Sequence, residues 1–169
     1  MTIKNQKIEF SSIGVIHSSF TNIEGMPLQP NSEHARPGTI EILSDYSDGL
    51  KDLEGFSHLI LLYNFHQSKK FRLQVQPFLD SELRGVFATR APARPNQIGL
   101  SVVEIEKIEG NIIYLKNLDM LDGTPLLDIK PYIPEFDAPV CTKKGWLESM
   151  LSQHCKTKTD NRFENDYIK

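Results

Sequence analysis

Two polar segments hold most of the side chains in this sequence that could do chemistry. Residues 90–99 (RAPARPNQIG) place two arginines and two prolines around Asn96 and Gln97. A guanidinium keeps its charge and presents a planar fork of donors, which matches a phosphate or a carboxylate. Pro92 and Pro95 fix φ and remove amide donors, so Arg90 and Arg94 sit on a stiff loop held off any strand ladder. Residues 118–124 (LDMLDGT) offer the opposite sign in Asp119 and Asp122, and Asp122-Gly123 supplies the turn. The plainer alternative is that Arg90 pairs with Asp119 or Asp128 and merely pins the two loops together. Rigid polar loops between apolar strands are nonetheless where binding sites are usually carried.

The elements that must position these loops are short. Residues 8–18 read as a strand, with Ile13, Val15 and His17 on one face and Gly14 and Ile16 on the other. Residues 19–38 lose the apolar period and hold three prolines and two glycines, a long loop with a polar cluster that includes Gln29 and Pro30. A strand follows at 39–43, then a short helix over 45–53 ended near Gly55. Residues 57–65 (SHLILLYNF) are the most apolar run and read as a strand buried on both faces. His66 and Gln67 emerge at its end. The polar, basic stretch 68–83 has Pro77 in its middle and is expected to carry little regular structure.

Further strands are expected at 86–90, 100–109, 112–118 and 126–132, the second and third joined by a hairpin turn at Glu109-Gly110-Asn111. Residues 142–155 place Trp146, Leu147, Met150 and Leu151 at helical spacing, an amphipathic helix docked by its apolar face. The last residues, 156–169, read as a frayed tail. About seven strands with irregular or hairpin links and two short helices favour a mainly β fold, a small antiparallel barrel, over a doubly wound sheet. The expected organisation is a barrel domain over 1–141 and a C-terminal helix and tail over 142–169.

Composition narrows what such a barrel would do. With 169 residues the chain can bury a substantial core as one domain. Its 19 Lys and Arg against 22 Asp and Glu leave a net charge of −3, so overall charge gives no support to nucleic-acid binding. Residues 66–95 differ, with six basic side chains against two acidic ones, enough for a local basic face. The two cysteines, Cys141 and Cys155, fit no zinc or redox spacing, and the five histidines are scattered, so no metal site is expected. No stretch reaches the ~20 apolar residues of a membrane span, and no signal-peptide core is present. The expectation is a reduced, cytoplasmic protein without a membrane partner. G-x-G-x-x-G, P-loop and G-x-S-x-G motifs are absent, which removes a Rossmann cofactor site and a serine-hydrolase elbow.

Residues 88–101 (ATRAPARPNQIGLS), 118–132 (LDMLDGTPLLDIKPY), 55–67 (GFSHLILLYNFHQ) and 13–20 (IGVIHSSF) together resemble the TsaA-like, or TrmO, family. Several motifs of this length in one order are far more specific than any single loop. The resemblance implies an S-adenosylmethionine-dependent methyltransferase acting on N6 of threonylcarbamoyladenosine at position 37, in the anticodon loop of tRNA. It implies a small antiparallel barrel that forms a homodimer. Carried over residue by residue, the donor S-adenosylmethionine would touch Gln29, Pro30, His66, Gln67, Arg90, Leu100, Leu118, Asp119, Asp122, Gly123 and Thr124. On their own chemistry Arg94 and Asn96 are the candidates to face the tRNA, with the role of Arg94 left open. Three features depart from the family pattern: Gln97 stands where a second proline is common, His17 where an arginine is usual, and the tail is shorter than the extension many bacterial members carry.

A sulfonium is cationic, so a nearby carboxylate, Asp119 or Asp122, would favour it electrostatically. The adenine N6 is a weak nucleophile, so alignment with the methyl carbon must supply much of the catalysis, roughly 7–11 kcal/mol. His66, Asp122 and Tyr132 are all conceivable proton acceptors, and the sequence does not choose among them. Two other readings stay open: the same fold and donor with a different acceptor, or a non-catalytic barrel that binds a nucleotide or RNA. The second is weakened because Phe20, Tyr63 and Phe87 form no evident stacking motif.

Overall fold

A computed structural model describes residues 6–151 and 155–163. Its strands are β1 (Gly14–His17), β2 (Arg36–Ile42), β3 (His58–Asn64), β4 (Gln74–Val75), β5 (Arg84–Gly85), β6 (Ile98–Glu109), β7 (Ile112–Leu118) and β8 (Thr124–Pro131). Six of them close a barrel in the order β1-β2-β7-β6-β3-β8, every pair antiparallel. Closure removes the free strand edges that an open sheet would expose. The expectation of a small antiparallel barrel is borne out.

Period-two alternation decides which side chains fill it. From β3, Leu59, Leu61 and Tyr63 point inward; from the other strands come Ile16, Ile40, Ile42, Val103, Ile113, Leu115, Leu118 and Leu126. Burying each large aliphatic side chain contributes about 1.5–3 kcal/mol. The apolar run of β3 is thus buried on one face only, because its outer residues His58, Ile60, Leu62 and Asn64 keep partial exposure. β1 is shorter than expected but keeps the expected division of faces: Gly14 and Ile16 are inside, Val15 and His17 part-exposed or outside. Among the described residues, 6–12 have no ladder partner, and Ile8 and Phe10 stand exposed at 70% and 67%.

The antiparallel order sends the loops to two ends. At one end lie the hairpin Glu109-Gly110-Asn111, with Gly110 at φ 59°, and two 3-10 segments, Ser44–Leu50 and Leu53–Gly55, where one α-helix was expected. Asp52 at φ 65° breaks the helical run between them. At the other end lie the 18–35 loop, the long excursion 65–97 and the 119–123 loop.

The excursion has more structure than its composition suggests. β4 and β5 pair, and Val75, Val86, Ala91 and Ala93 form a second small core. Val86–Ala88 is a 3-10 turn where a strand was expected, because Thr89 N–H closes back on the Val86 carbonyl.

After β8 comes a short helix, α1 (Pro134–Asp137), with proline in its first turn. Over 142–151 the expected amphipathic helix reduces to the 3-10 turn Gly145–Leu147 and the turns after it; residues 152–154 lie outside the described residues. Gly145 enters at φ 60°, and Trp146 donates its indole N–H to the Ala88 carbonyl, which fixes this segment by contacts rather than by helix period. The expected frayed tail is corrected over 155–163. There Gly25 and Thr159 exchange main-chain bonds with their neighbours (Gly25 N to Thr159 O, 2.9 Å; Thr159 N to Met26 O, 2.9 Å), and Phe163 packs on the second core.

Candidate active site

The loop end is where the two polar segments of the sequence meet, and the strands explain why. β6 begins at Ile98 directly after the arginine loop, and β7 ends at Leu118 directly before Asp119. β6 and β7 are hairpin partners, so the start of one faces the end of the other. β3 lies on the far side of β6, with Tyr63 opposite Gly99.

This places a hydrogen-bonded chain inside the mouth of the barrel. The Tyr63 hydroxyl is 3.1 Å from the Ser101 hydroxyl, and Ser101 donates to the Asp119 carboxylate at 2.9 and 3.2 Å. Ser101 is 1% exposed and Tyr63 5%, whereas Asp119 retains some open surface. Burial dominates the electrostatics of Asp119 and pushes its pKa up to about 7, against the lowering effect of the Ser101 bond, its own main-chain N–H and the Arg90 charge. Burial also pushes the Tyr63 hydroxyl well above the ordinary phenol range, with the Asp119 charge adding to the rise. The ring of Tyr63 occupies the space over Gly99, where any Cβ would lie 2.3 Å from Cε2. Glycine is therefore the only residue that leaves Tyr63 in place.

Arg90 comes to this mouth from the excursion. Its Nη1 donates to Gln29 Oε1 at 2.8 Å, joining the 65–97 excursion to the 18–35 loop. No ion pair joins Arg90 to Asp119 or Asp128 among the described residues; Asp128 pairs with Lys130 at 2.7 Å. The simple pinning role is thus not what the geometry shows. Arg90 is exposed, yet its charge is felt at both Asp119 and Tyr63.

The remaining expected residues divide sharply. Asp122 is at the loop end but engaged: Oδ1 accepts from Ser18 N–H at 3.1 Å and lies 3.5 Å from His17 Nδ1, whose other ring nitrogen is 3.7 Å from Glu41. Gly123 N–H bonds the Ile16 carbonyl and Thr124 Oγ1 the Leu121 carbonyl, so these two hold the loop's shape. Leu118 has no exposed surface and belongs to the core; Pro30 is buried, its carbonyl accepting from Asn117. Leu100 is 45% exposed on the outer face of β6. His66 and Gln67 are exposed at the end of β3, and Gln67 helps line an open polar cleft of about 360 Å³ with Asn22, Ile23, Glu24 and Asn161.

Arg94 is occupied by its own loop, Nη1 donating to the carbonyls of Val86, Thr89 and Ala91 at 2.9 to 3.4 Å; Asn96 is exposed. Tyr132 requires a correction. It follows Pro131 at the far end of β8 and packs edge-on against His58, ring centroids 6.3 Å apart, at the opposite end of the barrel from Asp119. A strand of eight residues spans about 26 Å at ~3.3 Å per residue, too far for proton transfer at the loop end. Ser101 and Tyr63 were missed in the sequence. Their only signal is shared inward facing with the Asp119 loop, which needs the strand register to be known.

Among the described residues no group of three or more His, Cys, Asp or Glu could hold a metal ion, and no helix is long and apolar enough to cross a membrane. The donor set is instead one of carboxylate, amide, hydroxyl and guanidinium groups. An enclosed carboxylate beside an open mouth suits an organic cation, and Gln29 with Arg90 suits its polar periphery.

Residues 15–138 match the family described as the tRNA-methyltransferase O N-terminal domain. A protein of Pyrococcus abyssi, described as a probable S-adenosyl-L-methionine-binding protein, is 49% identical over 154 residues, covering 91% of this chain and 84% of that one. The human tRNA (adenine(37)-N6)-methyltransferase is 42% identical over 134 residues, 75% of this chain but 30% of its own length. The crystal structure of TrmO from Pseudomonas aeruginosa superposes with a TM-score of 0.70 at 40% identity, covering 83% of this chain and 63% of that chain. The chain therefore spans most of the archaeal relative and less than two thirds of the two longer ones.

Proposed function

The chain belongs to the tRNA-methyltransferase O family, and from that premise we propose that it transfers a methyl group from S-adenosylmethionine to N6 of adenosine 37 in the anticodon loop of tRNA, the acceptor being threonylcarbamoyladenosine. The observation that carries this reading is the Asp119 carboxylate, enclosed at the loop end beside Arg90 and Gln29. When bound, the donor supplies an activated methyl group on a cationic sulfur; everything else is done by the chain's own residues.

Asp119 offers the anionic partner for that cation in a site where burial keeps water from screening it. Arg90 and Gln29 bridge the two loops and hold polar groups of donor or acceptor. His66, Gln67 and the exposed Asn96 lie along the same rim. Arg94 supports the acceptor side by fixing the loop it belongs to. Catalysis in this scheme is mainly alignment of N6 with the methyl carbon, worth roughly 7–11 kcal/mol. A homodimer and a cytoplasmic location complete the proposal.

Methyl-labelled donor incubated with total tRNA, followed by digestion to nucleosides, tests it. Label in N6-methyl-threonylcarbamoyladenosine is the expected result. Label in any other nucleoside would keep the donor and replace the acceptor. Absence of donor binding by titration calorimetry would leave only an RNA-binding barrel.

A further inference from the structure

A methyl transfer to an amide-like nitrogen leaves a proton to be removed, and the acceptor must be near the reacting atom. Of the three residues the sequence allowed, Tyr132 is at the wrong end, Asp122 is committed to Ser18 and His17, and His66 is exposed with no side chain among the described residues to orient its ring. A fourth group is better placed.

The chain from Tyr63 through Ser101 to Asp119 has one consistent direction. A carboxylate only accepts, so Ser101 Oγ–H must donate to Asp119. With its single proton committed, Ser101 can only accept from its other neighbour, so Tyr63 Oη–H donates to Ser101 at 3.1 Å. Both hydroxyls are nearly out of solvent and neither is free to turn elsewhere. The Tyr63 ring is in turn seated on Gly99 and crossed edge-on by Phe65, centroids 5.4 Å apart. A base held by an orienting group that is itself held is the arrangement expected of a proton acceptor.

We propose that Asp119 is the proton acceptor of the transfer, and that Ser101 and Tyr63 are positioning residues that aim its carboxylate. The inference rests on the methyltransferase reading above. In the step, N6 gains the methyl carbon while the carbon–sulfur bond breaks with its electron pair left on sulfur, and the N6 proton passes to an oxygen of Asp119. The sulfur leaves as a neutral thioether, so the positive charge that favoured ionised Asp119 disappears as the proton arrives. The titratable and charged groups acting on Asp119 are Arg90 from the excursion and Tyr63 from β3. A carboxyl whose pKa stands at about 7 is matched to such a task.

Two measurements test this, one of them independent of turnover. In donor-free protein, carboxyl carbon NMR follows the Asp119 titration. Removal of the charge-stabilising bond in Ser101→Ala is expected to move that titration up by about one to two pH units, and Tyr63→Phe to move it less in the same direction. In the labelled-donor assay on tRNA, Asp119→Asn is expected to lose roughly 10²- to 10⁴-fold in kcat. The acid limb of kcat against pH should shift upward in Ser101→Ala by the amount the NMR gives. An acid limb that stays put in Ser101→Ala, or an Asp119→Asn variant that folds, binds donor and retains near-normal kcat, would overturn the assignment and leave the methyltransferase reading intact. Failure of the wild-type protein to label tRNA would overturn both.

Discussion

The two ends of this barrel are built from the same strands and treat polar groups in opposite ways. At the hairpin end and along the outer wall of β6 and β7, charged side chains stay in water: Lys107 pairs with Glu109 at 2.8 Å beside the hairpin, and Lys116 pairs with Glu104 at 2.5 Å midway along the strands, all on the solvent side. Their shifts are those of ordinary surface pairs, the lysines raised and the glutamates lowered by each other's hydrogen bond. At the loop end a carboxylate is enclosed, its pKa is raised by burial, and two hydroxyls are used to hold it. One end closes the barrel at little electrostatic cost. The other accepts a cost of desolvation that only a bound ligand or a chemical task would offset.

Five variants and one change of pH would sharpen or break that contrast. Arg90→Ala is expected to weaken binding of donor or acceptor by about 10- to 100-fold, the worth of a charge-assisted hydrogen bond, with the melting temperature unchanged because Arg90 is exposed. Calorimetry and a thermal melt on the same sample check both halves; a lower melting temperature with normal affinity would restore the pinning role.

Gly99→Ala is expected to destabilise the fold by about 1–3 kcal/mol in chemical denaturation, since the new Cβ meets the Tyr63 ring. At the other end Gly110→Ala meets no neighbouring atom, and only its φ of 59° is strained, so its cost should be smaller and should spare donor binding.

The pH dependence follows from Asp119. Its folded pKa of about 7 lies above the ordinary 3.8, so the folded state holds the proton more tightly. That contribution to stability is present below the ordinary carboxylate range and is lost as pH rises towards 7. A cationic donor favours the ionised form, so its affinity should move the other way and fall about tenfold between pH 8 and pH 6. Calorimetry at the two pH values decides, and the Asp119→Asn variant should show no such slope. The smallest effect is expected at the hairpin end, where Lys107→Ala should leave the melting temperature and donor affinity within error. A clear loss of donor binding there would mean that the two ends are not independent.

Much of the barrel was legible because residues 57–65 are a short apolar run bounded by turn signals, and 100–109 and 112–118 are strand-like segments joined by the strong hairpin signal Glu109-Gly110-Asn111. What misled was local sequence whose structure is decided by distant partners. The apolar run of β3 looked fully buried, but the barrel has a single interior, so every second residue faces out. Trp146, Leu147, Met150 and Leu151 have helical spacing, yet Trp146 is held by Ala88 from another part of the chain. In the site, the loops and their charges could be read directly. Ser101 and Tyr63 could not, because they are 38 residues apart and meet only through the β3–β6 register. Tyr132 failed for the mirror-image reason: it is close to the second loop in sequence and a full strand length away in space.

The seam that closes the barrel joins β1 to β8, with Gly14 opposite Leu126. Of the six barrel strands, the first in chain order therefore has only β2 beside it until the last is made. Tyr63, Ser101 and Asp119 can meet before that seam zips, since they ride on the β3-β6-β7 part of the wall. Assembly dominated by such long-range pairing is slow, of order milliseconds to seconds. The wiring thus allows the reactive corner to be in place before the staves are hooped.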